Sequence, residues 1–429
     1  MSKSSNVRRI TVNEENSKKA SAFRIDVKEI DLQSVIKMGL EEVMFQAGLI
    51  AVQQLIEAEV DKLVGPRYSR APGKVVHRWG EQRGMLYVGG QKINIDKPRV
   101  TRKTKTGGRQ EVELETYKQF SKPGAMNKAV MAKMLAGVST RDYAGTVDQI
   151  IDGHGISRSA ISRRGVREAG KQLEQFYSRR FEDREFVVIM IDGIGVGDVD
   201  NIVALGVDIW GKKEVLGLRQ GASENTTVCT QLLEDLVERG LPAEGDYLFV
   251  VDGAKALSKA IKKIFGANAV IQRCQLHKRR NVSDNLPKEH QTRIDKRLAA
   301  AYGMNEIGKA RKAVESVFDE LVALSEPAAG SLAEGMEETL TVHKLGLDGD
   351  LKRILSSTNS IESMFSMARR YKRNVKKWKK NTNHIERTLV VTLLEAEARF
   401  RRVRGYRELK GLKEKIQKLR ATTCNAKAA

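Results

Sequence analysis

The stretch that decides the fold is Phe186-Val-Val-Ile-Met-Ile191, an apolar run followed directly by Asp192 and Gly193. A short apolar run rich in β-branched residues and closed by a turn signal is typical of a strand buried on both faces. Two more runs of this kind follow closely, at 202–207 and 214–218. The tight turns between the three runs predict an antiparallel meander.

Helical and strand patterns then alternate. The spacing of apolar residues predicts helices over 226–238 and 254–265, and apolar runs predict strands over 247–251 and 269–272. The last two strands are reached through helical crossovers, so we expect them to run parallel in the same sheet. The order of three strands, helix, strand, helix, strand predicts an α/β fold.

The sequence on either side of this α/β region shows different patterns of polar and apolar residues. Residues 1–28 are polar and aperiodic, a helical pattern ends at Gly65-Pro66, and a glycine-punctuated stretch that reads as a small β hairpin or meander follows it. Beyond the α/β region the chain is helical to its end. The predicted organisation is a disordered tail at 1–28, a helical plus small-β basic region at 29–125, a helical region at 126–180, an α/β core at 181–281, a helical segment at 282–355, a final core helix at 356–400 and a basic C-terminal tail at 401–429.

The net charge of +22 comes from 76 Lys and Arg against 54 Asp and Glu, and the excess is concentrated in two segments. Residues 67–109 hold 12 basic and 2 acidic side chains, and residues 369–420 hold 19 and 5. A near-neutral body with two basic segments favours a polyanionic partner such as nucleic acid; solvated basic surface is the alternative. In the first segment we expect these arginines on one exposed face: Arg67, Arg70, Arg78, Arg83 and Arg99.

Composition excludes several classes of protein. The 429 residues are 41% hydrophobic, enough for a proper core, and three scattered cysteines (Cys229, Cys274 and Cys424) provide no disulfide framework. The first residues lack the apolar segment of a secretory signal, and no apolar run approaches the roughly 20 residues of a membrane span. We therefore expect a cytoplasmic protein without a membrane partner.

The region 126–180 contains a possible helix-turn-helix. Ser139-Thr-Arg-Asp142 opens one predicted helix, Asp152-Gly-His-Gly155 forms a turn, and a basic helix with Arg163 and Arg164 follows. The second helix of such a motif enters the major groove of DNA. Any helical hairpin with a basic partner produces the same pattern, so both interpretations stay open.

Three acidic residues are candidates for chemistry. Asp192 and Asp252 each follow a predicted strand and precede a glycine that lets the chain leave the sheet. Such carboxylates face the crevice where α/β proteins bind ligands, although Asp-Gly is also a common plain turn. Glu362 lies at the start of a predicted helix. It is a candidate metal ligand and also a candidate for a capping box with Asn359 as the N-cap, and the two roles are compatible because a carboxylate at a helix start is held rigidly.

Carboxylates near a basic surface point to phosphodiester chemistry. Such chemistry uses hard oxygen ligands that hold two Mg²⁺ ions about 4 Å apart, and Mn²⁺ can substitute. Asp192, Asp252 and Glu362 would supply these ligands.

Several longer motifs then resemble a known family. They are Gly206-Val-Asp-Ile-Trp-Gly-Lys-Lys-Glu-Val-Leu-Gly217, Leu236-Val-Glu-Arg-Gly-Leu241, Val250-Val-Asp-Gly253, Gln272-Arg-Cys-Gln-Leu-His-Lys-Arg-Arg-Asn281 and Thr358-Asn-Ser-Ile-Glu-Ser363. Together, over about residues 40–400, they resemble the Mutator-like transposases of bacterial insertion sequences.

The resemblance implies a DDE recombinase with a ribonuclease-H-like core that an all-helical insertion, here 282–355, interrupts. By the same match Asp192, Asp252 and Glu362 form the catalytic triad. It also places Cys274 and His277 beside the active site, where they position DNA or shape the pocket. From spacing alone, Cys274-x-x-His277 lacks a second ligand pair for zinc, and a buried thiol with a satisfied histidine is its ordinary interpretation.

The run 369–380, in which 8 of 12 residues are basic, is a predicted DNA contact. We expect phosphate contacts from Arg369, Arg370, Lys372 and Arg373, and stacking on unpaired bases by Tyr371 and Trp378. A helix with a solvated charged face is the alternative. For Asp208 we expect a structural cap or a supporting position rather than a metal ligand.

The resemblance implies a transposase that hydrolyses a phosphodiester at the terminal inverted repeats of an element and then transfers the freed 3′-hydroxyl to target DNA. Its partners are double-stranded end and target DNA, and bringing two ends together requires at least a dimer. Two alternatives are a DNA-binding protein that has lost catalysis and a ribonuclease-H-like nuclease.

Overall fold

The computed structural model describes residues 40–67, 75–88, 91–104, 107–122, 124–136, 158–221, 225–267, 269–371, 378 and 382–428. It divides into two compact units, one of residues 1–129 and 144–157 and the other of residues 130–143 and 158–429. No helix of the described residues is both long and apolar enough to cross a membrane.

The first unit packs two helices on a small sheet. Its elements are α1 (Leu40–Val64), β1 (Val76–Val88), β2 (Gln91–Lys103), β3 (Arg109–Glu111) and α2 (Glu115–Phe120). The sheet is an antiparallel meander in the order β1-β2-β3. Its core consists of apolar side chains of α1, β1 and β2, so a helix and a small sheet lie together within the region predicted for 29–125, whose bounds stay a prediction.

The expectation of one exposed arginine face is wrong for Arg78. Its guanidinium forms ion pairs with Glu57 and Asp61 of α1, and the side chain is only 22% exposed. The reason is the two-residue alternation of a strand: Arg78 pairs with the buried Val100, on the α1 side of the sheet. Arg70 lies outside the described residues.

The second unit is built on a five-stranded sheet. Two helices precede the sheet: α3 (Gly124–Leu135), which contains the boundary between the units, and α4 (Arg158–Tyr177). The strands are β4 (Phe186–Val196), β5 (Val199–Asp208), β6 (Lys213–Gly221), β7 (Leu248–Val251) and β8 (Val270–Arg273). The sheet order is β6-β5-β4-β7-β8, with β4, β5 and β6 antiparallel and β4, β7 and β8 parallel. The predicted meander and parallel crossovers are confirmed.

Helices cover both faces of this sheet. On one face lie the crossover helices α5 (Thr226–Glu238) and α6 (Lys255–Phe265), packed on Ile189 and Ile191. On the other lie α4, α14 (Asn359–Tyr371) and α15 (His384–Glu397), packed on Met190 and Ile194. Because neighbouring residues of β4 serve opposite cores, the strand is apolar at nearly every position.

Between β8 and α14 the described chain is helical. The helices are α7 (Gln275–Asp284), α8 (Lys288–Gly303), α9 (Ile307–Leu324), α10 (Glu326–Ala333), α11 (Met336–Thr339), α12 (Thr341–Lys344) and α13 (Gly349–Leu355). Much of this segment has its own apolar core, which extends from Val282 to Leu340. The chain ends with a 3₁₀ helix (Tyr406–Gly411) and α16 (Leu412–Ala428).

Candidate active site

Three adjacent parallel strands bring candidate residues into one row. Ile191 of β4 is in register with Val251 of β7, and Val251 is in register with Arg273 of β8. The next residues along these strands are Asp192, Asp252 and Cys274. Because neighbouring strands lie about 4.8 Å apart, the two aspartates are adjacent at the point where β7 ends.

The sequence predicts that Asp192 follows its strand, but the structure places this residue within β4. Pairing with β7 stops at Ile191, but pairing with β5 continues to Val196, so Gly193 is an ordinary strand residue opposite Ile202. Asp192 is 8% exposed, and its Oδ1 accepts the Gly193 N–H at 2.9 Å.

Asp252 ends its strand as predicted. Its Oδ1 accepts the Ala254 N–H at 3.0 Å, directly before α6, and Gly253 has a φ of +111°. A Cβ atom at Gly253 would lie 2.9 Å from Nε of Arg273. The sharp exit from β7 therefore requires glycine for both its backbone angle and its close neighbour.

Glu362 reaches the site from α14, and the predicted capping box is wrong. The helix begins at Asn359, and the Thr358 carbonyl already accepts the Ile361 and Glu362 N–H groups, each at 3.0 Å. Thr358, not Asn359, is therefore the residue that precedes the helix. Its hydroxyl donates to Glu362 Oε1 at 3.1 Å.

Cys274 and His277 lie at the start of α7, against Glu362. Cys274 is fully buried, and its Sγ accepts the N–H groups of His277 and Thr358, each at 3.5 Å. His277 Nε2 lies 3.7 Å from Glu362 Oε1, and its Nδ1 lies 3.3 Å from the Thr358 hydroxyl. The geometry thus places this pair beside the third acid.

The electrostatics also connect these groups. Burial is the main cause that raises the pKa of Asp192 to about 7, with the negative charge of Asp252 next and that of Glu362 a smaller contribution. The hydrogen bond with Cys274 is the main cause that raises the pKa of His277 to about 9, and Asp192 and Glu362 add to it. Asp192 therefore interacts electrostatically with Asp252, His277 and Glu362.

The site has oxygen donors for a hard cation but no closed ligand cage. Within the described ranges, no three His, Cys, Asp or Glu side chains are arranged to hold a metal ion. The chemistry of the donors nevertheless fits a divalent cation such as Mg²⁺, because Asp192, Asp252 and Glu362 supply hard oxygen ligands. The pKa of Asp192 is raised first by burial and then by the charges of Asp252 and Glu362.

The predicted DNA contacts occupy varied positions. On α4, Arg163 is exposed and Arg164 is half-buried; at the end of α14, Arg369 and Arg370 are exposed. Trp378 is partly buried, with its ring centroid 5.2 Å from that of His384. The side chain of Tyr371, together with Lys372, Arg373 and the predicted turn at 152–155, lies outside what the structure describes.

Asp208 has the structural role expected of it. Its Oδ1 accepts the N–H groups of Trp210 and Lys212, at 2.9 and 2.8 Å, in the turn between β5 and β6. This carboxylate therefore caps a turn.

Sequence reasoning missed two buried cations and one hydroxyl. Arg273 donates to the carbonyls of Gly253 and Glu334, each at 2.8 Å. Lys278 donates to the same Glu334 carbonyl at 2.7 Å, and burial lowers the pKa of this lysine to about 8. Both side chains join the sheet edge to the helical segment. The third residue is Thr358, which the sequence showed only as the first residue of the motif that contains Glu362.

The fold and site define a mixed α/β protein in which two aspartates lie side by side on adjacent strands and a glutamate lies on a helix packed against the same sheet. The chain belongs to the Mutator family of transposases: the family model described as "Transposase, Mutator family" matches residues 20–403.

Individual relatives carry the same kind of name. The chain is 26% identical over 362 residues to the transposase for insertion sequence element IS256 in transposon Tn4001 of Staphylococcus aureus, covering 80% of this chain and 88% of the relative. It is 28% identical over 251 residues to the transposase for IS6120 of Mycolicibacterium smegmatis, covering 57% and 76%. It is 25% identical over 343 residues to the transposase for ISRM5 of Rhizobium meliloti, covering 77% and 81%.

Proposed function

We propose that this transposase is of the DDE type and has a ribonuclease-H-like core. The sheet order β6-β5-β4-β7-β8, with an antiparallel meander and two parallel crossovers, supports the core. The helical segment between β8 and α14 is then an insertion in that core. The proposed reaction is hydrolysis of a phosphodiester at the terminal inverted repeats, followed by transfer of the 3′-hydroxyl to target DNA.

The observation that carries this proposal is that Asp192 and Asp252 are neighbours in the sheet, while α14, the helix of Glu362, packs on the same strand β4. The register of β4 and β7 places the two aspartates side by side, and Glu362 raises the pKa of Asp192 from α14. A buried carboxylate whose pKa is raised by like-charged neighbours is typical of sites that work with a cation.

Asp192, Asp252 and Glu362 would hold the metal, which we propose to be two Mg²⁺ ions or Mn²⁺ in their place. When bound, the ions supply an activated oxygen nucleophile and charge stabilisation at the leaving oxygen. The protein positions the carboxylates: backbone N–H groups hold both aspartates, and Thr358 holds Glu362. His277 places a cationic edge next to these acids, suited to a DNA phosphate.

The remaining parts of the proposal concern partners and location. Exposed Arg163, Arg369 and Arg370 are available for the phosphates of end and target DNA. Joining two element ends requires at least a dimer on DNA. We place the reaction in the cytoplasm, in keeping with the buried free thiols of Cys229 and Cys274.

The test is a cleavage assay on DNA that carries the flanks of the coding sequence. In Mg²⁺ the wild type is expected to nick the element ends and to form strand-transfer products on a plasmid. We expect the cleavage rate to fall about 100-fold or more in each of three variants, Asp192→Asn, Asp252→Asn and Glu362→Gln. The control is Asp208→Asn, which changes an acid that caps a turn and should retain activity.

The alternatives give different outcomes. Cleavage that survives Asp192→Asn contradicts the assignment. End binding without any wild-type cleavage favours an inactive DNA-binding protein. Cutting of RNA–DNA hybrids without strand transfer favours a nuclease.

A further inference from the structure

Thr358 is a fully buried side chain that connects two elements of the candidate site. It precedes α14 directly, and the loop that leads from β8 into α7 packs against it. Its Oγ1 lies 3.1 Å from Glu362 Oε1, 3.3 Å from His277 Nδ1 and 3.5 Å from Cys274 Sγ. One hydroxyl therefore contacts both residues that approach the aspartates from outside the sheet.

We propose that Thr358 is a positioning residue, whose hydroxyl fixes the Glu362 carboxylate and the His277 imidazole in their orientations toward the aspartates. This inference rests on the proposed function, since it assumes that Glu362 works as the third acid.

The chemistry of a hydroxyl suits this role. It has one proton to donate and lone pairs to accept, so it donates to Glu362 Oε1 while it accepts from His277 Nδ1–H. With Nδ1 engaged in this way, the ring turns Nε2 toward the same carboxylate, at 3.7 Å. Orientation of a metal-binding group by such an outer partner is a general feature of metal sites.

The backbone groups of Thr358 form hydrogen bonds of their own. Its N–H donates to Cys274 Sγ, and its carbonyl accepts the Ile361 and Glu362 N–H groups at the start of α14. These bonds do not depend on the side chain. Thr358→Val keeps the shape and the backbone bonds while it removes the hydroxyl, and Thr358→Ser keeps the hydroxyl.

The chain offers a matched control in Thr392. It is also buried, on α15, and its hydroxyl donates to the Leu389 carbonyl at 2.9 Å. Thr392→Val therefore removes a buried threonine hydroxyl that has no contact with the acids.

The experiment measures Mn²⁺ affinity by isothermal titration calorimetry, together with end cleavage, DNA affinity and thermal unfolding. Thr358→Val is expected to weaken Mn²⁺ binding about 10- to 100-fold and to slow cleavage by a similar factor, with DNA affinity unchanged. Thr358→Ser should stay within about threefold of wild type in both. Thr392→Val should match the wild type in both, and its melting temperature should be close to that of Thr358→Val.

Three results would overturn the inference: wild-type Mn²⁺ affinity in Thr358→Val, equal losses in Thr358→Ser and Thr358→Val, or the same loss in Thr392→Val. Glu362→Gln, measured alongside, separates this inference from the proposed function. If Glu362→Gln loses cleavage and Thr358→Val does not, only the role of Thr358 fails. If Glu362→Gln cleaves normally, or the wild type binds no Mn²⁺, both fail.

Discussion

At the scale of single residues, Asp192 is the candidate acid whose charged form is disfavoured by its surroundings. It is buried within a strand, beside Asp252, and its pKa of about 7 lies well above the usual 3.8. A carboxylate in this position is poorly solvated when it is charged. Its environment favours either a proton or a cation at the sheet edge.

Protons and cations should therefore compete at Asp192. Below pH 7 the proton must leave before a metal ion binds, so we expect Mn²⁺ affinity to fall about tenfold per pH unit between pH 7 and 5.5 and to level off above pH 7.5. Calorimetric titration across this range is the measurement. An affinity that stays constant from pH 5.5 to 8 would contradict the prediction.

The same raised pKa affects folding. Between pH 4 and 7 the native state holds a proton on Asp192 that the unfolded chain has lost, so this residue's contribution to stability falls as the pH rises through that window. We expect Asp192→Asn to raise the free energy of unfolding of the metal-free protein more at pH 8 than at pH 5. Urea unfolding at the two pH values tests this, and an equal change at both would refute it.

Gly253 offers a test of backbone geometry. Its φ of +111° and its closeness to Arg273 make Gly253→Ala unfavourable, and we expect a loss of about 1–3 kcal/mol in the free energy of unfolding. The control is Gly303→Ala at the end of α8, where a Cβ meets nothing within 4 Å; it should change stability by no more than about 0.5 kcal/mol. Equal effects of both substitutions would show that geometry at Gly253 is unimportant.

At the scale of elements, one carboxylate joins α15 to the sheet. Glu397, 19% exposed, receives two hydrogen bonds from Arg179 at 3.1 and 2.9 Å and the Val215 N–H of β6 at 2.6 Å. Its loss leaves a half-buried guanidinium and a strand N–H without this acceptor. The pair therefore stabilises the packing of the C-terminal helices on the sheet.

We expect Glu397→Ala to lower the free energy of unfolding by about 2–3 kcal/mol, a value reduced for the partial exposure of the pair. Glu395→Ala is a control on the same helix, because the Glu395–Arg399 pair is 31% and 60% exposed and should contribute less than about 0.5 kcal/mol. Chemical denaturation gives both values. Similar losses in the two variants would argue against a special role for Glu397.

At the scale of the whole molecule, the candidate acids and the basic residues proposed for DNA binding have different surroundings. Asp192 is buried in the sheet, whereas Arg369 and Arg370 are exposed at the far end of the helix that carries Glu362. Phosphate contacts release counterions, so their number is measured by the dependence of DNA affinity on salt.

We expect the double variant Arg369→Gln/Arg370→Gln to bind end DNA more weakly and to reduce the slope of log K against log[salt] by about 2. Lys259→Gln/Lys312→Gln, two exposed cations of α6 and α9, changes the net charge equally and should leave the slope nearly unchanged. Fluorescence anisotropy measured at salt concentrations between about 50 and 300 mM distinguishes the two double variants. Equal slopes for both variants would mean that net charge alone decides binding.

Much of the fold could be read from local pattern. Strands such as Phe186–Val196 and helices such as Thr226–Glu238 follow from apolar periodicity and from turn residues, because these depend on near neighbours. Topology followed too, since the crossover rules leave few arrangements for three strands, helix, strand, helix, strand. The identities of Asp192, Asp252 and Glu362 as candidates also came from the sequence.

Other features depended on contacts between distant residues. Only the pairing with β5 decides that β4 runs on past Asp192 to Val196, and only the packing of α14 against α7 brings Thr358 to His277 and Cys274. Periodicity carries no information about such contacts, because they depend on how elements pack and on which side chains then share a buried space. The sequence by itself determined the elements and the acids; the tertiary structure decided which groups surround and orient those acids.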